Sequence, residues 1–468
     1  MKQYDVIWVG TGQATGTVIP RLVASGKTVA VIEGGRFGGS CVNYGCTPTK
    51  TLVSSARVAH MVRRGGDFGV NVEDFCIDFD KVMERQNTIR DNGSKGLESW
   101  IGSLEGVDFY PEYAHFEDDH TVRVGEAVIS GETIVIHTGA RARKPPIPGL
   151  EEVNWLDNVR LLDLTTLPRH LVIIGGSYIS LEFAQVFRRF GSEVTVLERG
   201  SQLMFREDAD IAEIAKDVLL RQGIQIELNM QVDRVAPIQD TTDGHSAKVF
   251  YTQGGKSKSV QGSHLMVAAG RVPNTDKLKL DAAGVKTNER GFIPVNDVMQ
   301  TNVPHIYAVG DVNGEAAFTH TSANDGEIFW DNYSDTVRAQ DARKLTDRIT
   351  TYAMFIDPPL GRVGMSEKEA RKSDRNVLMA TRPMARISRA REKDETDGLV
   401  KILVDADSEE FLGATILGVG GDEVINMFTP FMYSGQSYKL FRRAVLTHPT
   451  VAELMPWILD DLKPLNDE

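Results

Sequence analysis

The chain has 468 residues, of which 41% are apolar, and a formal net charge of −13. This length predicts three or four compact units, and the acidic balance argues against a nucleic-acid-binding surface. No apolar run reaches the length of a membrane span, and the first residues lack the pattern of a signal peptide. We therefore expect a cytoplasmic protein with no membrane or nucleic-acid partner. Three cysteines are too few for a disulfide-stapled framework.

The N-terminal segment has the order strand, glycine turn, helix and strand that is typical of a dinucleotide-binding βαβ unit. An apolar run at 6–9 leads into Gly10 and Gly12, and Glu33 ends the second apolar run. Such glycines let a pyrophosphate approach the backbone, and an acid at the strand end suits a ribose hydroxyl. The fingerprint is incomplete because Thr15 stands at the third glycine position. Taken alone, this stretch is also compatible with an ordinary glycine turn.

The same pattern recurs at 170–200. Gly175 and Gly176 mark the turn, and Glu198 ends the second strand at the same spacing from the first glycine as in the N-terminal unit. Two units of one spacing imply two bound dinucleotides. Further along, a short apolar run ends in Asp311, an acid at a strand end where open α/β sheets bind ligands.

The segment 38–50, GGSCVNYGCTPTK, contains two of the three cysteines, Cys41 and Cys46. Redox activity is the favoured interpretation of this close pair, with inert buried thiols or a metal pair as alternatives. The four intervening residues can form one helical turn that brings the sulfurs within bonding distance. A helix N-terminus and Lys50 would favour the thiolate. Cys76 is expected to be a lone small residue with no partner.

The chain beyond about residue 346 lacks glycine turns and is expected to form a further domain of mixed strands and helices. Near its end, His448 precedes a proline, and Glu453 follows five residues later. A carboxylate can fix the tautomer of an imidazole and raise its basicity, as a general acid/base requires. A histidine before a proline can equally be an ordinary loop residue.

Taken in chain order, these motifs resemble those of the flavoprotein disulfide reductases, the family of dihydrolipoamide dehydrogenase, glutathione reductase and mercuric reductase. The resemblance covers essentially all 468 residues. The motifs that carry it are the FAD fingerprint at 10–16, G-G-x-C-x4-C-x-P-x-K at 38–50, TGA at 138–140, the nicotinamide-cofactor fingerprint at 175–182, AAGRVPN at 268–274, Gly310-Asp311, and HPTVAE at 448–453.

The resemblance implies an α/β fold with two Rossmann-like dinucleotide-binding domains, one for FAD and one for NAD(P), and a C-terminal α+β dimerisation domain. A homodimer is therefore expected. The implied boundaries are 1–148 for the first part of the FAD-binding domain, 149–271 for the NAD(P)-binding domain, 272–345 for the second part of the FAD and central region, and 346–468 for the dimerisation domain.

The resemblance also implies roles for individual residues. Cys46 would lie against the flavin as the charge-transfer thiol, and Cys41 would attack the substrate. Lys50 and Glu182 would pair beside the reactive nitrogen of the flavin. The residues implied to contact FAD are Gly10, Gly12, Glu33, Gly139, Gly310 and Asp311, and those implied to contact NAD(P) are Gly175, Gly176, Tyr178, Glu198 and Gly270.

His448 and Glu453 would form the acid/base dyad that reaches the active site of the other subunit. No metal ligand set is expected, because the histidines are scattered and none has zinc-ligand spacing with a cysteine. Glu198 predicts a preference for NADH, since its charge opposes the 2′-phosphate of NADPH. The adjacent Arg199 favours that phosphate, so measurable use of NADPH is also expected.

These features predict an enzyme that passes electrons from NAD(P)H through FAD and the cysteine pair to a small-molecule disulfide or metal-ion acceptor, as in mercuric-reductase-like proteins. The 468 residues include neither the heavy-metal domain nor the C-terminal cysteine pair typical of mercuric reductases. The alternative is dihydrolipoamide dehydrogenase, from which Tyr44 and Thr47 in the redox motif depart. A third hypothesis, prompted by the incomplete fingerprints, is an FAD-bound redox sensor or assembly partner with poor turnover.

Overall fold

The computed structural model describes residues 1–238 and 245–465. Within these ranges the strands form five sheets, with seven, six, four, three and two strands. No helix of the described residues is long and apolar enough to cross a lipid bilayer.

The N-terminal part contains the first βαβ unit and the helices that carry the cysteine segment. Its elements are β1 (Lys2–Val9), α1 (Thr15–Ala24), β2 (Val29–Ile32), α2 (Gly39–Tyr44), α3 (Cys46–Arg63), α4 (Phe79–Gly102), β3 (Val107–Tyr110), β4 (Ala114–Phe116), β5 (Thr121–Val124), β6 (Ala127–Ile136) and β7 (Ala140–Ala142). β1 pairs in parallel with β2 and β6, and β2 pairs in parallel with β3. β5 pairs antiparallel with the first half of β6, and β4 pairs antiparallel with β5 at the edge of the sheet.

The second βαβ unit builds a separate parallel sheet. Its part of the chain contains α5 (Asn158–Leu161), β8 (His170–Ile174), α6 (Tyr178–Phe190), β9 (Glu193–Leu197), α7 (Ala209–Arg221), β10 (Gln225–Glu227), β11 (Met230–Pro237), β12 (Ala247–Gln253), β13 (Lys256–Gly262), β14 (His264–Val267) and β15 (Arg271–Pro273). The parallel order is β10-β9-β8-β14, and β11, β12 and β13 form an antiparallel sheet. β15 returns to pair with β7.

The chain then re-enters the first sheet through β16 (Ile306–Ala308) and α8 (Thr319–Tyr333). β16 pairs in parallel with the second half of β6, so the second βαβ unit is an insertion between strands of one sheet. Apolar residues of the second half of α8 share a core cluster with α1, and Gly326 of α8 lies against Ala14 and Val18.

The C-terminal part forms an antiparallel sheet with short helices, as the α+β prediction requires. Its elements are β17 (Thr351–Met354), β18 (Leu360–Gly364), α9 (Glu367–Ala370), β19 (Val377–Pro383), α10 (Ser388–Glu392), β20 (Leu399–Asp405), β21 (Phe411–Leu417), α11 (Gly421–Val424), α12 (Phe428–Ser434), α13 (Tyr438–Arg442), α14 (Met455–Ile458) and β22 (Lys463–Pro464). The strand order is β17-β18-β21-β20-β19-β22. The predicted fold class is confirmed, whereas the residue boundaries of the domains stay predictions.

One hydrophobic cluster holds the cysteine helix in place. Leu52 and Ala56 of α3, Phe187 of α6, and Met354 and Leu360 of the C-terminal sheet all belong to it and are almost fully buried. Removing such apolar surface from water stabilises the packing by about 25 cal/mol per Å². The helix that begins at Cys46 is therefore fixed by both neighbouring parts of the molecule.

Candidate active site

Cys41 and Cys46 lie on two separate helices that meet at a glycine. Cys41 is in α2, Cys46 is the first residue of α3, and Gly45 between them has φ −137° and ψ −112°. A Cβ atom at Gly45 would lie 2.9 Å from the carbonyl oxygen of Ser40, so a larger residue would have to displace the backbone. The expectation of one continuous helical turn across the pair is therefore wrong. α2 ends at Tyr44, and α3 begins at Cys46.

Both cysteines are free thiols in this structure, and they differ in acidity. The Cys41 thiol donates a hydrogen bond to the Cys46 sulfur, and this bond is the main cause that lowers the pKa of Cys46, to about 6. The Thr319 hydroxyl, 3.2 Å from Cys46 Sγ, and the charge of Lys50 act in the same direction, while burial opposes them. The same bond, together with burial, raises the pKa of Cys41. Cys46 is thus the thiolate and Cys41 the protonated partner.

A buried ion pair joins the cysteine helix to the second βαβ unit. Lys50 Nζ of α3 lies 2.7 Å from Glu182 Oε2 of α6, and the Glu182 side chain is only 3% exposed. The backbone N–H of Phe355 donates to the other oxygen of Glu182 at 2.8 Å, and the Lys50 ammonium lies 4.7 Å from the Phe355 ring centre. These partners compensate the burial of the carboxylate and hold the Lys50 ammonium near the cysteines.

The predicted acid/base pair is formed within the C-terminal part. His448 Nδ1 lies 2.8 Å from Glu453 Oε2, which fixes the ring so that Nε2 is its free nitrogen. The His448 side chain is 76% exposed, and that of Glu453 is 13% exposed. Within residues 1–238 and 245–465, no hydrogen bond or ion pair connects this dyad to Cys41 or Cys46. The structure therefore forms the dyad but does not bring it to the cysteines of the same chain.

The first glycine turn packs against a buried histidine. Gly10 has φ +104°, and a Cβ there would lie 2.4 Å from the His137 carbonyl oxygen, while a Cβ on Gly12 would lie 2.7 Å from His137 Nε2. Glu33 accepts hydrogen bonds from the N–H and hydroxyl of Thr11 at 2.9 and 2.7 Å. Its second oxygen accepts from the Gly35 N–H at 2.8 Å. Oε1, which accepts only the Gly35 bond, keeps a lone pair that can accept from a ribose hydroxyl, so the turn fits the adenosine end of FAD.

The residues predicted at the other end of the FAD site are held by partners that the sequence analysis did not identify. Asp311 Oδ2 pairs with Arg271 Nη1 at 2.6 Å. Burial raises the pKa of Asp311, and Arg271 opposes this effect. The Gly310 N–H donates to Asp325 Oδ2 at 2.7 Å, and Gly139, with φ +67°, accepts a hydrogen bond from the Asn274 N–H. A sequence signal for this ion pair was that Arg271 directly follows Gly270 in the AAGRVPN motif.

The second glycine turn is arranged like the first. Gly175 has φ +113°, and a Cβ there would lie 2.6 Å from the Ala268 carbonyl oxygen. Glu198 accepts from the N–H groups of Gly176 and Gly200 at 2.6 and 2.7 Å, so its carboxylate lies at the turn. Arg199 is exposed.

Tyr178 begins the helix that follows this turn. Its ring centre lies 6.3 Å from that of Phe318, and burial raises the pKa of its phenol. The Gly270 carbonyl oxygen accepts a hydrogen bond from the Arg143 N–H at 2.9 Å. The donors and close backbone approaches at both turns fit a dinucleotide.

His137 is a site residue that the sequence analysis missed. Its Nε2 lies 3.0 Å from the Ser322 hydroxyl, and its Nδ1 lies 3.5 Å from the Thr15 hydroxyl. Thr15 in turn accepts a hydrogen bond from the indole N–H of Trp8 at 3.0 Å. Burial lowers the pKa of His137 to about 3, so the ring is neutral at physiological pH. The threonine at the third fingerprint position thus completes a buried hydrogen-bond network that a glycine could not.

Two family models match this chain. The model for pyridine nucleotide-disulphide oxidoreductases matches residues 4–326, and that for their dimerisation domain matches residues 350–459. The chain belongs to the pyridine nucleotide-disulfide oxidoreductase family. Membership implies FAD and a pyridine nucleotide as cofactors of this oxidoreductase.

Its relatives include several kinds of reductase. A protein of Escherichia coli K12 named probable pyridine nucleotide-disulfide oxidoreductase RclA is 36% identical over 461 residues, with 97% of this chain and 98% of RclA covered. A mercuric reductase of Lysinibacillus sphaericus is 30% identical over 458 residues, with 96% of this chain and 81% of that enzyme covered. A solved structure described as the Cu(II) complex of HOCl-induced flavoprotein disulfide reductase RclA from E. coli is similar with a TM-score of 0.87, at 34% identity and over 98% and 99% of the two chains.

Proposed function

We propose that this oxidoreductase takes electrons from NAD(P)H and delivers them through FAD and the Cys41–Cys46 pair to a small-molecule disulfide or metal-ion acceptor. The observation that carries the proposal is the unequal acidity of the two thiols, with the pKa of Cys46 lowered to about 6 and that of Cys41 raised. A redox pair that exchanges with a substrate needs one stable thiolate and one thiol that becomes nucleophilic only when deprotonated.

The chemistry of a disulfide acceptor can be balanced on the two cysteines. Cys41 Sγ, once deprotonated, attacks one sulfur of the substrate, whose S–S bond breaks and releases the first thiol with a proton. The Cys46 thiolate then attacks Cys41 Sγ and forms the Cys41–Cys46 disulfide. The second half of the substrate leaves as a thiolate and takes its proton from solvent. Bound FAD supplies the two electrons that return this disulfide to the dithiol, at the expense of NAD(P)H.

The His448–Glu453 dyad is proposed to move the protons of this exchange. Because the pKa of Cys41 is raised, a base must take its proton before it attacks, and the leaving thiolate needs a proton in return. His448 is exposed and its Nδ1 is occupied by Glu453, which leaves Nε2 to act. We propose that the protein is a homodimer in which this dyad serves the cysteine pair of the other subunit. The match to a dimerisation domain supports this arrangement.

NADH is the proposed preferred donor. The Glu198 carboxylate lies at the second glycine turn, where it accepts two backbone hydrogen bonds and carries a negative charge toward the ribose position. Repulsion of the 2′-phosphate of NADPH follows from this charge. We expect Glu198→Ala to reduce or reverse the ratio of kcat/KM for NADH over NADPH. A wild-type preference for NADPH would contradict the proposal and assign the ribose contact to the exposed Arg199.

Dihydrolipoamide dehydrogenase activity is the second candidate, and the preformed His448–Glu453 pair favours it, because a dithiol–disulfide acceptor requires proton transfer. A sensor with poor turnover is the third candidate. A panel of acceptors distinguishes the three: lipoamide, glutathione disulfide, Hg(II), Cu(II) and quinones, each with NADH and NADPH. Multiple turnovers with one acceptor support the reductase, and the acceptor identifies its type. If NADH reduces the protein but no acceptor of the panel gives multiple turnovers, the result would support the sensor.

The dyad variant separates disulfide from metal-ion acceptors. His448→Ala is expected to slow turnover of a disulfide by roughly 10²–10⁴-fold, the usual contribution of a general acid/base. It should leave hydride transfer from NADH to the flavin unchanged, because no thiol takes part in that step. With a metal-ion acceptor the loss should be small, since no thiolate leaving group needs a proton. An unchanged rate with every disulfide would contradict the role given to His448.

A further inference from the structure

Three metal-ligating side chains lie together outside the redox site. Asp119 and His120 are in the turn between β4 and β5, and His305 immediately precedes β16. One ligand atom from each residue lies within 4.8 Å of those of the other two. Asp119 and His120 are exposed and His305 is half-buried, so an ion from solution can reach them. The two histidines are far apart in the sequence, and no spacing rule could have paired them.

Each imidazole has one nitrogen committed to a backbone carbonyl. His120 Nδ1 lies 2.9 Å from the Gly131 oxygen, and His305 Nε2 lies 2.8 Å from the Asp119 oxygen. A carbonyl oxygen only accepts, so these two nitrogens carry the protons and the other nitrogen of each ring keeps its lone pair. Metal-binding histidines use this arrangement, in which the second N–H is held by a carbonyl or carboxylate.

The backbone of both histidines is anchored to the same strand. The Gly131 N–H donates to the His120 carbonyl oxygen at 3.0 Å, and the Ile134 N–H donates to the His305 carbonyl oxygen at 3.0 Å. Gly131 and Ile134 both belong to β6. The two rings are stacked, with centres 3.8 Å apart and planes 2° from parallel. Ligand groups held in this way lose little conformational freedom when they bind an ion.

We propose that Asp119, His120 and His305 bind one divalent transition-metal ion, with water completing its coordination. Two imidazoles and a carboxylate suit Zn²⁺ and its neighbours, and three protein ligands leave a position open. Ligand atoms around tetrahedral Zn²⁺ are about 3.4 Å apart, so separations of up to 4.8 Å must shorten by at most about 1.4 Å. The two imidazole rings must also tilt relative to each other, because the nitrogen lone pairs of parallel stacked rings cannot both point at one ion. The exposed Asp119 carboxylate can move freely.

A second acidic cluster in the described residues lacks the properties of a metal site. Asp208, Asp210 and Glu367 also lie within ligand distance of one another. The Lys401 ammonium already occupies the space between them, at 3.3, 2.9 and 2.5 Å, and its side chain is 1% exposed. A buried cation there competes with any metal ion, whereas none of the described residues that hydrogen-bond to the Asp119–His120–His305 cluster offers a lysine or arginine nitrogen.

The test is zinc binding by calorimetry on the full chain with Cys41, Cys46 and Cys76 replaced by serine, which removes thiolate ligands. This protein should bind one more Zn²⁺ ion per chain than the same protein with His120→Ala and His305→Ala. Each single histidine variant should weaken that site by at least about tenfold. His115→Ala is the matched control: it lies in the same hairpin, 3.4 Å from Glu117, and should leave zinc affinity unchanged. The substitutions of His115, His120 and His305, made in the protein that keeps its three cysteines, are expected to leave reductase activity unaltered.

A thermal measurement provides an independent readout. The ion would join the β4–β5 turn to the segment before β16, and binding to the folded state alone raises the unfolding temperature as zinc increases. This rise should require more zinc in His120→Ala, disappear in the double variant of His120 and His305, and persist unchanged in His115→Ala. Equal zinc stoichiometry in the parent and double variant, or equal loss of affinity in His115→Ala, would overturn the proposal.

Discussion

Thr319 connects the first turn of α8 to the Cys46 sulfur. Its hydroxyl lies 3.2 Å from Cys46 Sγ and is one of the causes that lower the pKa of that thiol to about 6. A hydrogen bond to a charged group contributes about 1.5–3 kcal/mol, so Thr319→Val should raise this pKa by about one unit. The pH dependence of Cys46 alkylation, followed by mass spectrometry so that the three cysteines are counted separately, measures the shift.

The conservative variant Thr319→Ser keeps a hydroxyl at this position and is the control for the loss of the methyl group. In Thr319→Ser, the midpoint of the pH dependence of Cys46 alkylation should lie close to that of the wild type. If Thr319→Val alkylates with the wild-type midpoint, the hydroxyl does not stabilise the thiolate and the acidity of Cys46 must come from Cys41 and Lys50 alone.

His137 makes the stability of the protein depend on pH. The folded state keeps this ring neutral down to about pH 3, whereas the unfolded chain takes up a proton below about pH 6.5. The unfolded state therefore binds more protons between these values, and the free energy of unfolding falls as the pH is lowered. Between pH 6.5 and 5 the expected loss is about 1.6 kcal/mol. Urea unfolding of wild type and of His137→Gln should differ by this amount in their pH dependence, and identical slopes would contradict the buried neutral ring.

Residues that belong to a motif of characteristic spacing could be predicted from the sequence, whereas the residues that contact them in the folded chain could not. Lys50 and Glu182 were paired only through the family resemblance, and the structure places them 2.7 Å apart. His137 and Thr319 come from segments far from the cysteine and glycine motifs that they contact. Their roles depend on where α8 lies relative to Cys46 and to the segment after β6, which no local pattern encodes.

At the scale of elements, the break between α2 and α3 sets the geometry of the cysteine pair. A Cβ at Gly45 would lie 2.9 Å from the Ser40 carbonyl oxygen and 3.5 Å from the Cys41 Cα. Gly45→Ala should therefore displace Cys41 relative to Cys46 and slow disulfide exchange, while the FAD-binding turns are unaffected. The rate of reoxidation of the reduced enzyme by a disulfide, measured after rapid mixing, tests this.

Gly96→Ala is the matched control for the glycine substitution. Gly96 lies inside α4, where an added Cβ meets nothing within 4 Å. Alanine there should stabilise the helix by about 1 kcal/mol and leave the exchange rate unchanged. Equal rates in Gly45→Ala and Gly96→Ala would show that the helix break does not position the thiols.

The two βαβ units were predictable because their glycine turns, apolar runs and strand-end acids lie close together in the sequence. β2 ends at Ile32 directly before Glu33, and β9 ends at Leu197 directly before Glu198, as the pattern requires. The break at Gly45 was not predictable, since glycine is compatible with either a helical turn or its interruption. What decides the break is the close approach of Ser40, which exists only in the folded chain.

At the scale of the whole molecule, a buried charge network joins the second βαβ unit to the C-terminal sheet. Lys401 of β20 is surrounded by Asp208, Asp210 and Glu367, and Arg362 pairs with the buried Glu207 at 3.1 Å. Removing one partner of a buried network leaves the others uncompensated, at a cost of about 3–5 kcal/mol. Lys401→Met should lower the free energy of unfolding by this amount.

Lys439→Met provides the comparison, because Lys439 pairs with Glu409 at the exposed surface. Solvent screens that pair, so its loss should change stability little. Denaturant unfolding of both variants checks the prediction. Equal stability of Lys401→Met and Lys439→Met would mean that the network is not a structural link between the two parts of the chain.

The central claim is that electrons leave the protein through Cys41 and Cys46, and counting thiols tests it most directly. The FAD-loaded protein is treated with NADH without oxygen, then denatured and alkylated. The oxidised enzyme should be alkylated only at Cys76, and the NADH-treated enzyme at all three cysteines. Addition of the acceptor identified by the panel, in the amount that accepts two electrons per chain, should again leave only Cys76 alkylated. Alkylation of all three cysteines before NADH, or a count that NADH leaves unchanged, would contradict electron transfer through the pair.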